Sequence, residues 1–176
     1  MKFGIEKKVA LVAAASQGIG LATAKTLLSE GCLVSICARS EVKLAKAVES
    51  LGNPEGLHAF VADVNVAAQL ESWVTTAAKQ LGAPEILVTN TGGPPVGHPA
   101  DLSDESWLKG FETTVLNIVR MVRNVSPYMR DKRFGRIVHI TSLVARDPHS
   151  LLTVSSTLRS GINSLTKLQA KELGPF

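Results

Sequence analysis

The chain has 176 residues, 45% hydrophobic and 19% charged, the make-up of an ordinary globular protein long enough to bury its own core. Its net charge of +4 comes without a stripe of base-stacking aromatics or a reading motif, which argues against nucleic-acid binding. No apolar run nears the roughly 18 residues needed to cross a bilayer, and no early stretch has the pattern of a secretion signal, so the expected location is cytoplasmic, with no membrane partner.

Taken in chain order, strands and helices alternate. Val9–Ala14 reads as a first strand, and Gly18–Glu30 as the helix that follows it. Cys32–Ala38 is a second strand, and Glu41 to about Leu51 its helix. Cys32 and Cys37 fall on opposite faces of that strand, so they cannot pair comfortably, and no metal-ligand spacing surrounds them. His58–Ala62 is a third strand. Ala67–Leu81 follows as a helix, with Leu70, Trp73, Val74, Ala77, Ala78 and Leu81 on one stripe. Ile86–Thr89 is a fourth strand, running into the stiff, shaped loop Thr91–Pro99. A long helix starts after Ser103 as N-cap, with Trp107, Phe111, Val115, Ile118 and Val122 facing inward. The cations Arg130, Lys132, Arg133 and Arg136 read as a solvated helix end. Arg136–Thr141 is the fifth strand and Ser155–Leu173 the last helix.

Near-continuous apolar strands separated by helices imply a parallel sheet covered on both faces. Right-handed crossovers make it an α/β, doubly wound, Rossmann-type sheet of at least five strands, with ligands at the carboxyl ends of the strands. One domain over residues 1–176 is expected. The segment Val9-Ala-Leu-Val-Ala-Ala-Ala-Ser-Gln-Gly-Ile-Gly20 carries glycines that open a helix, where a backbone can approach a pyrophosphate. After the second strand stand Arg39 and Ser40, with the first acid, Glu41, already in the next helix. An acid there would favour NAD, whereas an arginine accommodates the 2′-phosphate of NADP, so NADP(H) is favoured over NAD(H).

These motifs, in this order, resemble the short-chain dehydrogenase/reductase family along essentially the whole chain. The family's turn reads Thr-Gly-x-x-x-Gly-x-Gly; Gly18 and Gly20 match, while Ala13 and Ala14 replace the threonine and first glycine. The resemblance assigns Ser16, Gln17, Gly18, Ile19 and Gly20 to the cofactor turn. It places Asp63 and Val64 at the adenine, although Asp63 is equally suited to capping the next helix. Thr89-Asn90-Thr91-Gly92 stands for the family's Asn-Asn-Ala-Gly, so Asn90, Thr91 and Gly92 are assigned to the nicotinamide ribose side.

The family's catalytic set is Asn, Ser, Tyr and Lys. Ser142 matches the serine; Ser155 stands at the tyrosine, Arg159 at the lysine and Thr114 at the asparagine, with Asn117 nearly a turn away. A serine hydroxyl is too weak an acid to replace the tyrosine, and Arg159 keeps the charge without relaying a proton. Tyr128 is the single tyrosine and lies near the far end of the long helix. His149 is the better substitute acid, then His98, while His139 reads as a packed or cofactor-side residue.

The Gly-Gly-Pro-Pro loop and the Ser-x-x-x-Arg pair are similar to a subgroup of 3-ketoacyl-carrier-protein-reductase-like members. The resemblance implies an NADP(H)-dependent oxidoreductase acting on a carbonyl/alcohol pair, with degenerate catalytic residues. It also implies a homodimer or homotetramer through the two long helices, and no metal. A non-catalytic nucleotide-binding protein, sensing redox state or acting as a regulatory subunit, is the alternative, and a purely structural module a third. Family members run well beyond this length, so a fragment of a longer product is expected.

Overall fold

The computed structural model describes residues 3–176. Five strands form one parallel sheet in the order β3-β2-β1-β4-β5: β1 (Val9–Val12), β2 (Leu33–Ala38), β3 (Leu57–Val61), β4 (Ile86–Thr89) and β5 (Arg136–His139). From β1 the chain winds outward to β2 and β3, then crosses back to pair β4 with the other side of β1. That reversal opens a crevice above β1 and β4, where doubly wound sheets bind their ligands.

Alternate residues of the central strands serve two cores. Val9, Leu11, Cys37 and Leu87 face α3 (Ala67–Leu81), α5 (Asn117–Lys132) and α6 (Thr153–Leu173). Ala10, Val12, Val34, Ile36, Ile86 and Val88 face α1 (Gly18–Ser29) and α2 (Glu41–Ser50). Cys32 and Cys37 join opposite cores, as the two-residue period requires, although Cys32 precedes β2 and is not part of it. The outer strands β3 and β5 are partly exposed, whereas β1 and β4 are fully buried.

The strand ends differ from expectation for local reasons. β1 stops before Ala14, whose φ of +48° turns the chain out of the extended region. β5 stops at His139, and beyond it the carbonyls of Ile140 and Thr141 accept from a side chain of α6.

The long helix differs more. It comprises α4 (Asp104–Phe111), N-capped by Ser103 as expected, then a π-helical turn over Glu112–Leu116, then α5. The wider turn inserts a residue and shifts the phase of the helix. Phe111, placed inward by a straight 3.6-residue period, is 43% exposed, while Gly110, Thr114 and Asn117 are buried.

The outer edge of β5 pairs with no strand among the described residues. A cavity of about 480 Å³ lies along it, lined by Met129, Phe134, Ile137, Thr166, Leu173 and Phe176. This space belongs to the sheet edge and shares no lining residue with the cleft at the carboxyl ends of the strands.

Candidate functional site

A cleft of about 470 Å³ occupies the carboxyl ends of the strands, bounded by Ser16, Gln17, Gly18, Arg39, Asp63 and Asn90 among others. Its floor is the turn between β1 and α1. Gly18 has φ +58° with open space around it, so its requirement is conformational. Gly20 is required for space: a Cβ there would sit 2.8 Å from both the Ala14 carbonyl oxygen and Asn90 Nδ2. Gln17, the N-cap of α1, supplies no side-chain cap, so first-turn N–H groups remain available to an anion.

Ala14 lines the cleft from a left-handed backbone that favours glycine, at the position of the family's first glycine. Asn90 donates Nδ2 to the Ala14 carbonyl at 3.1 Å and ties β4 to this turn. Gly20 therefore lies behind the turn, outside the cleft lining, and Ile19 points away from it, 62% exposed.

At the end of β2, Arg39 is exposed on the rim. Ser40 N-caps α2, accepting from Lys43 N at 3.3 Å, which leaves its hydroxyl proton free to donate. Lys43 lines the cleft beside them and was missed from sequence. The signal that would have found it is its place in the first turn of α2, three residues after the N-cap.

Asp63 does not cap α3, whose N-cap Val66 has no side-chain bond. Instead Asp63 Oδ1 accepts from Asn65 N at 2.9 Å, closing a tight turn on the cleft wall. Val64 reaches the cleft with a side chain otherwise buried in the core.

The π turn decides the wall after β4. It exposes the Thr113 carbonyl, which accepts from Thr91 Oγ1 at 2.8 Å and from Asn117 Nδ2 at 2.7 Å. Asn117 Nδ2 also reaches Thr91 Oγ1 at 3.1 Å. The bonding partner of the β4 loop is thus Asn117. Thr114 is fully buried, its hydroxyl without a partner among the described residues, and it does not line the cleft. Thr113, Gly92 and Gly93 line it instead.

Ser142 and Arg159 lie at the exit of β5, one strand over from Asn90, with Ser155 one turn earlier on α6. Ser142 Oγ accepts from Val144 N at 3.4 Å, starting a short 3₁₀ turn over Leu143–Ala145. Arg159 Nη1 donates to the carbonyls of Ile140 and Thr141 at 3.0 and 2.9 Å. Burial lowers the Arg159 pKa, and no salt bridge offsets it among the described residues. Ser155 is buried in the first turn of α6, and its hydroxyl makes no hydrogen bond to the described residues.

The histidines divide clearly. His139 lies between Thr89 Oγ1 at 2.8 Å and Gln169 Oε1 at 2.9 Å, and burial lowers its pKa; of the two readings open to it, it is the packed residue. His149 is exposed, with Nδ1 accepting from Leu151 N at 3.3 Å, and makes no bond to Ser142 or Ser155. His98 is exposed on the loop after β4. That loop is anchored by Gly97 N donating to Leu151 O at 2.9 Å.

Among the described residues no group of His, Cys, Asp or Glu is placed to hold a metal, and no helix is long and apolar enough to cross a membrane. Both cysteines are free and buried, and burial pushes the Cys37 thiol up to about 12.

Comparison with known proteins places this architecture. The chain is 34% identical over 175 residues to 2,3-dihydro-2,3-dihydroxybenzoate dehydrogenase of Bacillus subtilis (strain 168), covering 98% of this chain and 67% of the relative. It is 34% identical over 170 residues to the 3-oxoacyl-(acyl-carrier-protein) reductase of Vibrio harveyi, covering 96% of this chain and 68% of the relative. It superimposes with TM-score 0.92 and 32% identity on an NADPH-bound short chain oxidoreductase from Pseudomonas aeruginosa PAO1, described as containing an atypical catalytic center; the match covers 96% of this chain and 67% of that one. The chain thus spans about two thirds of the length of these proteins. The family model for short chain dehydrogenase matches residues 8–176, and the chain belongs to that family.

Proposed function

We propose that the chain is the nucleotide-binding part of an NADP(H)-dependent oxidoreductase acting on a carbonyl compound, in the manner of 3-oxoacyl reductases. The observation that carries this reading is the rim at the end of β2. Arg39 and Lys43 stand there with the Ser40 hydroxyl and the N-terminus of α2, where an NAD enzyme would carry an acid. The NADPH-bound Pseudomonas aeruginosa relative supports the same choice.

The cleft fits such a dinucleotide in the chemistry of its donors. The turn Ser16–Gly20 and the uncapped start of α1 suit the pyrophosphate, Arg39 and Ser40 the 2′-phosphate, Asp63 and Val64 the adenine, and Asn90, Thr91 and Gly92 the nicotinamide ribose. A bound nicotinamide supplies the hydride. Ser142 hydrogen-bonds the substrate oxygen, and Ser155 stands in the family's tyrosine position. Thr114 is withdrawn from this set, and Asn117 takes over the bracing of the β4 loop through Thr91.

Loss of a general acid typically costs about 10²–10⁴ in rate, so turnover is expected to be slow. A second reading, nucleotide binding without catalysis, is favoured by Arg159, whose Nη1 is already committed to backbone carbonyls. In either case the protein is proposed to act in the cytoplasm, its buried thiols reduced, and to self-associate through α4, α5 and α6. Leu108 on α4, Phe111 at its end and Leu168 on α6 present exposed apolar surface for that contact.

Titration with NADPH and NADH, followed by nucleotide emission, tests the cofactor. Oxidation of NADPH with a panel of ketones and 3-oxoacyl thioesters, compared between the native chain and Ser142→Ala, tests catalysis. Equal turnover by Ser142→Ala would remove the assigned centre. Binding without any turnover would establish the second reading.

A further inference from the structure

The π turn ends where α5 begins, and the residue it inserts sets the phase of α5. Asn117, the first residue of α5, bonds Thr91 Oγ1 in the loop after β4 at 3.1 Å. Arg120 stands three residues on, on the same helix face, and its Nη1 donates to the Asn65 carbonyl in the loop after β3 at 2.8 Å. One face of α5 therefore ties down two walls of the nucleotide cleft, at Thr91 and at the turn from Asp63 to Asn65.

Local bonds shape that second wall. Asp63 N donates to Gln69 Oε1 at 2.6 Å, Asn65 N to Asp63 Oδ1 at 2.9 Å and Val66 N to the Asp63 carbonyl at 3.0 Å. All three lie within the turn and the start of α3, so they fix its shape but not its position across the cleft. The Arg120 bond comes from 55 residues away and does fix that position.

Neither ion pairing nor helix stability accounts for the placement of Arg120. It is half-buried, with no acidic partner within salt-bridge distance among the described residues. The carbonyl it holds directly precedes Val66, the N-cap of α3, where a cation meets the positive end of the helix dipole. What the bond does secure is the backbone of Asp63 and Val64, immediately before Asn65.

We propose that Arg120 is a positioning residue of the cofactor site: by holding the Asn65 carbonyl it sets Asp63 and Val64 against the adenine ring, and so governs recognition of the base. This role rests on the dinucleotide reading above, and it falls to a residue that does not itself line the cleft.

The test titrates the intact chain with NADPH and with its hypoxanthine analogue, which carries an oxygen in place of adenine's 6-amino group, and follows nucleotide emission. The native chain is expected to prefer NADPH by about tenfold, the worth of one hydrogen bond to the base. Arg120→Met should weaken NADPH by about three- to tenfold and leave the analogue nearly unchanged, so that the preference collapses. Arg120→Lys keeps a donor on a long stem and should restore part of it. Arg123→Met removes the same charge from the exposed side of α5 and should leave both affinities as they are. If Arg120→Met fails to fold by circular dichroism, the shorter Arg120→Gln takes its place. A native chain without the preference, a preference that survives loss of Arg120, or equal losses for both nucleotides overturns the proposal, equal losses being the mark of a purely structural role. A native chain that binds neither nucleotide overturns the cofactor reading as well, which sets that failure apart.

Discussion

Asn90 donates its side-chain amide to the Ala14 carbonyl at 3.1 Å, joining the loop after β4 to the glycine-rich turn after β1. Ala14 holds φ +48°, which costs about 1–2 kcal/mol for a residue with a Cβ. Ala14→Gly relieves that strain but raises the entropy of the unfolded chain by about 0.4–1 kcal/mol. The expected outcome is a net stabilisation of about 0.5–1 kcal/mol. Asn90→Ala should destabilise by about 1–2 kcal/mol and also weaken nucleotide binding, because the turn loses its brace. Urea unfolding of the two variants checks both signs.

Arg39 and Lys43 make the rim of the cleft at the end of β2 basic, and only the 2′-phosphate distinguishes NADPH from NADH. Arg39→Asp should weaken NADPH by about tenfold or more, roughly 1.4 kcal/mol, with NADH affected far less. Lys43→Ala should move NADPH in the same direction by a smaller factor. An unchanged NADPH/NADH ratio of dissociation constants would dismiss the clamp.

Gly110 marks the point where α4 meets α6. A Cβ at this position would collide with the Val154 side chain, a β-branched residue with little freedom to move. Gly110→Ala should therefore destabilise by about 1–3 kcal/mol despite alanine's better helix propensity. Gly161→Ala, with open space around it on α6, is the control and should be neutral or stabilising. Thermal melts of the pair give the comparison.

His58 is fixed as a neutral acceptor by a chain of bonds from the core. Trp73 Nε1 can only donate, and it donates to Ser35 Oγ at 2.8 Å. Ser35 then has its proton for His58 Nδ1, also at 2.8 Å. Burial lowers the pKa of both His58 and His139 in the fold. The unfolded chain therefore binds more protons below the ordinary histidine value of about 6.5, and stability falls as pH drops through that point. Urea midpoints should decline from pH 7 to pH 5, and His58→Gln should flatten part of that slope. A slope unaltered by His58→Gln would show that His58 does not contribute.

The alternation of strands and helices, the two-faced burial of β1, β2 and β4 and the position of the glycine-containing turn after β1 were all legible beforehand. Each depends on residues close in sequence: a two-residue period in strands, a 3.6-residue period in helices, and glycines where the backbone turns. The boundaries of α3 and β4 coincide with the sequence reading for the same reason. The positions of Gly18, Arg39 and Asn90 follow from strand ends, which local patterning also sets.

By itself, then, the sequence determined the layered sheet and the family pattern, and it named the positions expected to stand in place of the family's catalytic residues. Only the tertiary structure decided what those positions touch. The π turn that buries Thr114 and hands its bonding role to Asn117 breaks the helical period, so a periodic reading placed Phe111 inward. Arg159 could be matched to the family's lysine by spacing, but its carbonyl partners after β5 depend on how α6 packs across the sheet. Partner choice for a long donor side chain is a non-local outcome, settled by which acceptors packing leaves unpaired.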